Sequence, residues 1–319
     1  AMLAERDAKI TLFHKEKYHL LRLTLAGAEA VSEKFTDLAE AEQAAAMCKD
    51  AAVICTSVTK EQKKEPPPKL YDLTTLQREA NRLLGYTAKQ TLDYAQSLYE
   101  KKLLTYPRTD SRYLTSDMAE TASCVIHLAA KLPPFDKISN FYPLVEAMIS
   151  DKEVSDHHAI IPTLEIEKAD IPALSLGERE LLLLVCCRLL CASAEPYVYE
   201  AVTAAFDCGG HSFTAKGRRV LSEGWREIDR IFRASLKEKP ADGDGSTLLD
   251  FTEGQTFDGA EVSVTELFTQ PPKPYTEDTL LSAMENAGKD DIPDEAERKG
   301  LGTPATRAAI IEKLVAAGF

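Results

Sequence analysis

Residues 103–114 read LLTYPRTDSRYL, and within them Tyr106, Arg108, Asp110, Ser111 and Arg112 stand close enough in sequence to serve one site. Pro107 fixes its own φ and biases Tyr106 towards an extended backbone, where residues two apart face the same side. Tyr106 and Arg108 can then meet one phosphate together. A free phenol ionises near pH ~10 and is a poor nucleophile at neutral pH. A guanidinium beside it favours the phenolate and neutralises charge on the phosphate under attack. Its planar fork also holds two phosphate oxygens at once. The plainer reading is a packed tyrosine beside a surface arginine, and residue types alone leave both open.

Two further segments carry candidate chemistry. Residues 155–163, SDHHAIIPT, place His157 and His158 side by side. Adjacent side chains point apart in any regular structure, so one imidazole can meet a phosphate while the other packs. An imidazole there donates a hydrogen bond or passes a proton at neutral pH. A metal site is the weaker alternative, because no third His or Cys has ligand spacing; a structural loop is the plain one. Residues 300–307, GLGTPATR, offer Thr303 as an N-cap and Pro304 as the first helical residue. The helix start would present unpaired N–H groups to an anion. It lacks the G-K-[ST] ending of a nucleotide-binding loop, and an ordinary capped helix competes with the anion-binding reading.

The elements that must position these residues follow from pattern. Residues 18–26 and 51–59 have strand character, with a helix over 37–50 capped by Asp37. EQKKEPPPKL reads as a stiff connector. Two helices fill 74–102: the first is capped by Thr74 or Thr75 and ended by Gly85, the second is capped by Thr87 and buries Leu92, Ala95, Leu98 and Tyr99. The pair fits a winged-helix module or an ordinary packing unit. Helices are expected over 116–131 and 176–193, a hairpin over 197–208 and 211–215 about Gly209–Gly210, a polar loop over 236–250, and strand over 256–268. There is no internal repeat. Strands flanking a helical middle imply a helical domain inserted into a β-domain.

The 319 residues suit two or three domains, and 44% are hydrophobic. No apolar run reaches the ~18 residues of a membrane span, and the N-terminus lacks a signal-peptide pattern; a cytoplasmic protein without membrane contact is the expectation. Seven cysteines without a C-x-x-C pair argue against a disulfide framework or zinc. The net charge of −13 argues against a generic nucleic-acid binder, but charge is segregated. Residues 60–113 hold eleven Lys/Arg against seven Asp/Glu, whereas 276–297 hold eight acids against one Lys.

Taken together, TYPRTDSRYL, HHAIIPT, the stretch LTTLQREANRLLGYTAKQTLDYAQSLYEKKLL and GLGTPATRAAIIEKL resemble, in order and spacing, the motifs of type IA DNA topoisomerases, leaning towards the topoisomerase III branch. The resemblance implies that Tyr106 becomes 5′-phosphotyrosyl, that Arg108 orients the phosphate, and that His157 is the active-site histidine. His158 fills the variable position. Asp110, Ser111, Arg112, Thr306 and Arg307 would lie along the DNA strand. It implies ATP-independent breakage, strand passage and rejoining of single-stranded DNA by a monomer. The implied fold is multidomain α+β of toroidal type. A β-rich arch would comprise 1–65 and 193–265, with an inserted tyrosine domain at 66–192 and the start of a helical DNA-binding domain at 266–319.

The family's Toprim domain, whose acidic D-x-D-x-E run holds magnesium, has no counterpart in the sequence; Asp290–Asp291 reads as a solvated acidic loop. The expectation is therefore a fragment of a larger enzyme. It would hold the nucleophile and no metal site of its own, with Mg2+ bound in the full-length enzyme. A non-catalytic winged-helix DNA-binding protein and a hydrolase using His157 and His158 on a metal are the rival readings.

Overall fold

The computed structural model describes residues 1–25, 28–49, 51–138, 141–236, 250–258, 261–288 and 300–318. Asp290–Asp291, and the polar loop expected over 236–250 except its two end residues, lie outside the described residues.

One antiparallel sheet organises the two outer thirds of the chain. Its strands are β1 (Lys17–Leu25), β2 (Ala28–Ser32), β3 (Val53–Glu65), β4 (Tyr197–Cys208), β5 (His211–Ser222), β6 (Thr256–Phe257) and β7 (Glu261–Phe268), in the spatial order β6-β3-β4-β5-β2-β1-β7. Alternation sets the buried face: Leu21, Leu23 and Leu25 on β1 join Phe206, Cys208 and Phe213 in one core. Helix α2 (Leu38–Cys48) covers that core with Ala41, Ala44 and Cys48. Asp37 caps it, its carboxylate accepting from the N–H groups of Ala39 and Glu40 at 2.6 and 3.3 Å.

Three expectations about the sheet need correction. β3 does not stop at residue 59 but continues through EQKKE to Glu65, which pairs with Tyr197. Its charge conceals the strand: from Thr59 to Lys64 every β3 side chain is exposed, so the backbone ladder forms without apolar alternation. The hairpin partner β5 likewise runs on to Ser222. β2 is a further strand, beyond those that the sequence pattern predicts.

The middle of the chain packs around a second core. Its helices are α3 (Leu73–Leu84), α4 (Ala88–Glu100), α5 (Ala119–Ala129) and α6 (Leu176–Ala192), with α7 (Trp225–Ser235) added from beyond the hairpin. α6 is apolar nearly all round because α3, α4, α5 and α7 enclose it. Asp72, rather than Thr74 or Thr75, caps α3 by accepting from the N–H of Thr75 at 2.7 Å. Thr87 caps α4 in a reciprocal capping box with Gln90. The buried stripe of α4 is Ala88, Thr91, Ala95 and Leu98; Tyr99 lies off it, 41% exposed. α1 (Met2–Thr11), α8 (Glu277–Asn286) and α9 (Pro304–Ala316) complete the described helices. Leu280, Leu281, Met284, Ala308 and Ile311 bury a third small core against Ala88.

Candidate active site

The loop between α4 and α5 carries Tyr106, and the segment around residues 157–163 is laced along it. Thr105 donates its N–H to the Ile161 carbonyl at 3.0 Å and its hydroxyl to the Ala159 carbonyl at 3.1 Å. Its oxygen in turn accepts from the Ile161 N–H at 3.0 Å. Thr163 donates to the Leu103 carbonyl at 3.1 Å, Ala159 to Tyr113 at 2.9 Å, and Ile160 to Tyr71 at 2.8 Å. These bonds satisfy buried backbone groups that no regular sheet or helix serves, and they hold two distant sequence segments in register.

Within that frame the ring centroids of Tyr106 and His157 are 4.4 Å apart and tilted by 46°. Tyr106 is half-buried, Pro107 next to it is buried, and His157 and Arg108 are exposed. The phenol is thus anchored through its neighbour beside an exposed imidazole, and Arg108, two residues on, is exposed. Thr109, buried, donates its hydroxyl to the His157 carbonyl at 3.0 Å. Leu73 at the start of α3 donates to the Thr109 carbonyl at 3.0 Å, which ties the loop to that helix.

The other candidates read from the sequence occupy varied positions. Asp110 is exposed. Ser111 is 5% exposed, and its hydroxyl donates to the Glu153 carbonyl at 2.9 Å. Arg112 is half-buried, with Nε donating to the Leu70 carbonyl at 3.2 Å. His158 is half-buried, its Nδ1 2.8 Å from the Ala159 carbonyl. Thr306 is exposed but shares a capping box with Thr303. Arg307 is 3% exposed; its Nε donates to the Leu301 carbonyl and its Nη1 to the Thr74 hydroxyl, both at 3.0 Å. In this conformation Ser111, Arg112 and Arg307 hold the scaffold, and Arg307 links the first turn of α9 to that of α3.

Sequence reasoning missed three contributors. Thr105 and Thr109 flank the tyrosine but show no motif of their own. Tyr99, which helical spacing predicts on a buried face, instead packs edge-on against Tyr106, with centroids 5.6 Å apart at 75°.

Among the described residues no three His, Cys, Asp or Glu side chains stand together as a metal cluster. His157 and His158 turn to different surroundings, so they offer no paired ligand set, and the exposed Asp110 belongs to no such cluster. The described residues do not fit a magnesium ion by themselves.

A family model described as DNA topoisomerase matches residues 1–319. Curated relatives include DNA topoisomerase 3 of Bacillus licheniformis, 36% identical over 98% of this chain and 45% of that protein. The same enzyme of Shouchella clausii is 37% identical and that of Bacillus subtilis 35%, with the same coverage. The chain therefore spans about half the length, 45%, of the curated relatives it matches. In fold it is similar to full-length topoisomerase I from Thermotoga maritima, with a TM-score of 0.75 at 23% identity over 100% of this chain and 50% of that one. Motif order, a mixed helical and curled antiparallel architecture and a full-length family match agree: the chain belongs to the type IA DNA topoisomerase family, on its topoisomerase III-like side.

Proposed function

We propose that Tyr106 is the nucleophile of a single-stranded DNA gate. The observation that carries this reading is the 4.4 Å approach of Tyr106 and His157, with Arg108 exposed two residues on. The phenol oxygen attacks a backbone phosphorus. A phosphorus–tyrosine bond forms, the bond to the 3′ oxygen breaks, and that oxygen leaves as a hydroxyl. His157 passes the proton, and Arg108 offsets charge on the non-bridging oxygens. Attack by the 3′ hydroxyl reverses the step, returns the phenol and reseals the strand. One phosphodiester is exchanged for another of similar energy, so no ATP is consumed.

Between the two steps a second strand passes through the gap. The relatives' name supports DNA as the substrate, and the exposed Arg108 with a tyrosine-rich surround suits a single strand. We assign residues 66–192 as the moving tyrosine unit, the sheet flanks as the arch, and residues 266–319 as part of the DNA-binding body, working as a monomer in the cytoplasm. No described helix is long and apolar enough to cross a membrane. Mg2+ belongs to the full-length enzyme in this reading, bound by a Toprim-type acidic cluster, and no such cluster stands among the described residues.

The test is denaturant trapping on end-labelled single-stranded DNA, with an acidic metal-binding domain from a relative supplied in trans. A covalent adduct that disappears in Tyr106→Phe supports the assignment. An adduct that persists in Tyr106→Phe removes Tyr106 as the nucleophile, and no adduct even with Tyr106 present returns the non-catalytic DNA-binding reading.

A further inference from the structure

The end of α4, close before Tyr106 in the chain, is built against its own backbone preference. Lys102 donates its N–H to the Tyr99 carbonyl at 2.8 Å, and Leu103 donates to the Leu98 carbonyl at 2.8 Å. These two bonds make a Schellman closure, in which the residue after the C-cap must be left-handed. That residue is Lys102, with φ at +60°, the one non-glycine with positive φ among the described residues. Glycine takes this conformation without a steric cost and lysine does not. Buried Leu98 and Leu103 fix the turn from within, and the Thr163 hydroxyl bonds the Lys102 carbonyl. The backbone is thus held by its neighbours while an unfavoured side chain is kept.

That side chain is exposed, and among the described residues its ammonium has no ion-pair partner, unlike Lys101, which is bound to Glu178. Strain at a bulky residue beside a reactive group points to a function for the side chain. Three residues earlier, Tyr99 presents a 41% exposed ring against Tyr106 at 5.6 Å. Aromatic rings stack on any nucleobase, and an ammonium binds backbone phosphate regardless of sequence.

We propose that Tyr99 and Lys102 form a nucleotide clamp beside the nucleophile: Tyr99 stacks on the base next to the attacked phosphate, and Lys102 holds a neighbouring phosphate of the same single strand. The clamp takes its location from the reading of Tyr106 but is tested without catalysis. It gives the loop a sequence-tolerant grip, which a gate acting on many DNA sequences requires.

The experiment measures binding of a fluorescein-labelled oligothymidylate by the 319-residue chain. Tyr99→Ala should weaken binding by ~5- to 150-fold, the range of one lost base stack, while Tyr99→Phe stays within about twofold. Lys102→Gly should raise the melting temperature by relieving the turn, yet lower the slope of log affinity against log salt by ~0.7, one phosphate contact on a single strand. Duplex DNA, whose bases are already stacked, should not respond to Tyr99→Ala. Replacing thymine by 5-iodouracil and irradiating should place the cross-link on Tyr99. An unchanged affinity in folded Tyr99→Ala, an unchanged salt slope in Lys102→Gly, or a cross-link mapping elsewhere overturns the clamp. The readouts separate the two claims: affinity, salt slope and cross-link report the clamp, whereas adduct loss in Tyr106→Phe concerns the nucleophile.

Discussion

The hydroxyl of Thr109 donates to the carbonyl of His157 at 3.0 Å, so the residue three places after Tyr106 fixes the backbone of the imidazole that packs on the Tyr106 ring. Thr109 is 3% exposed and also accepts from the N–H of Ser111 at 3.1 Å. Thr109→Val keeps the shape but strips a partner from both groups. It should cost ~1–3 kcal/mol of stability, the usual penalty for stranding buried polar groups. Thr109→Ser should restore most of it. Thermal melting checks the first effect. Adduct formation by Thr109→Val at a temperature where it remains folded should also be slow, because His157 is then free to drift from Tyr106.

Removing the imidazole itself should leave stability nearly unchanged, since His157 is exposed. His157→Ala should slow single-turnover cleavage by ~10²- to 10⁴-fold, the span associated with a positioned acid–base group. His158→Ala serves as the comparison: its ring touches the neighbouring Ala159 carbonyl, so its loss should change cleavage far less. Equal losses in the two variants would remove the distinct role given to His157.

Local chemistry is what the sequence discloses. Asp37, Thr87, Thr303 and Gly85 end or begin helices because their side chains or conformations act within four residues, and all four do so in the structure. The approach of Tyr106 to His157 is not legible from spacing, because they lie 51 positions apart; only the resemblance joins them. The long course of β3 is hidden, since its Lys and Glu side chains face solvent and carry no alternation. α7 is legible although the expectations omit it: Trp225, Ile228, Phe232 and Leu236 recur at helical spacing, Ile228 and Phe232 buried and the other two packed on the same core. Whether Arg307 faces solvent or Thr74 is decided by a contact across 233 positions, which no local pattern reports.

Arg307 yields a test of that contact. Its buried guanidinium meets the Leu301 carbonyl and the Thr74 hydroxyl, so it pins α9 to the helix that in turn holds the Thr109 carbonyl. Arg307→Lys keeps the charge but cannot reproduce two divergent N–H donors from one planar group. The substitution should destabilise by ~1–3 kcal/mol. Hydrogen exchange should quicken first in residues 304–316 and then in the first turn of α3, while the sheet core stays protected. Uniform loss of protection would mean that α9 is not a separately docked element.

Acid should loosen the support of α4 through one carboxylate. Glu178 is 5% exposed, and burial alone would raise its pKa. Hydrogen bonds from Lys101, Ser97 and Ser175 outweigh that and bring it from 4.5 down to about 2. Ser97 and Ser175 donate to it at 2.6 and 2.8 Å. Because the folded value lies below the unfolded one, Glu178 stabilises the fold fully above pH 4.5, and that contribution is lost as pH falls towards about 2. Glu178→Gln should lower the melting temperature at neutral pH, by the equivalent of ~1–3 kcal/mol for stranding Lys101 and the two hydroxyls. It should also flatten the dependence of stability on pH across that acid window. Thermal melts of both proteins from pH 7 to pH 2 decide it: parallel curves would show that Glu178 titrates alike in the folded and unfolded chains.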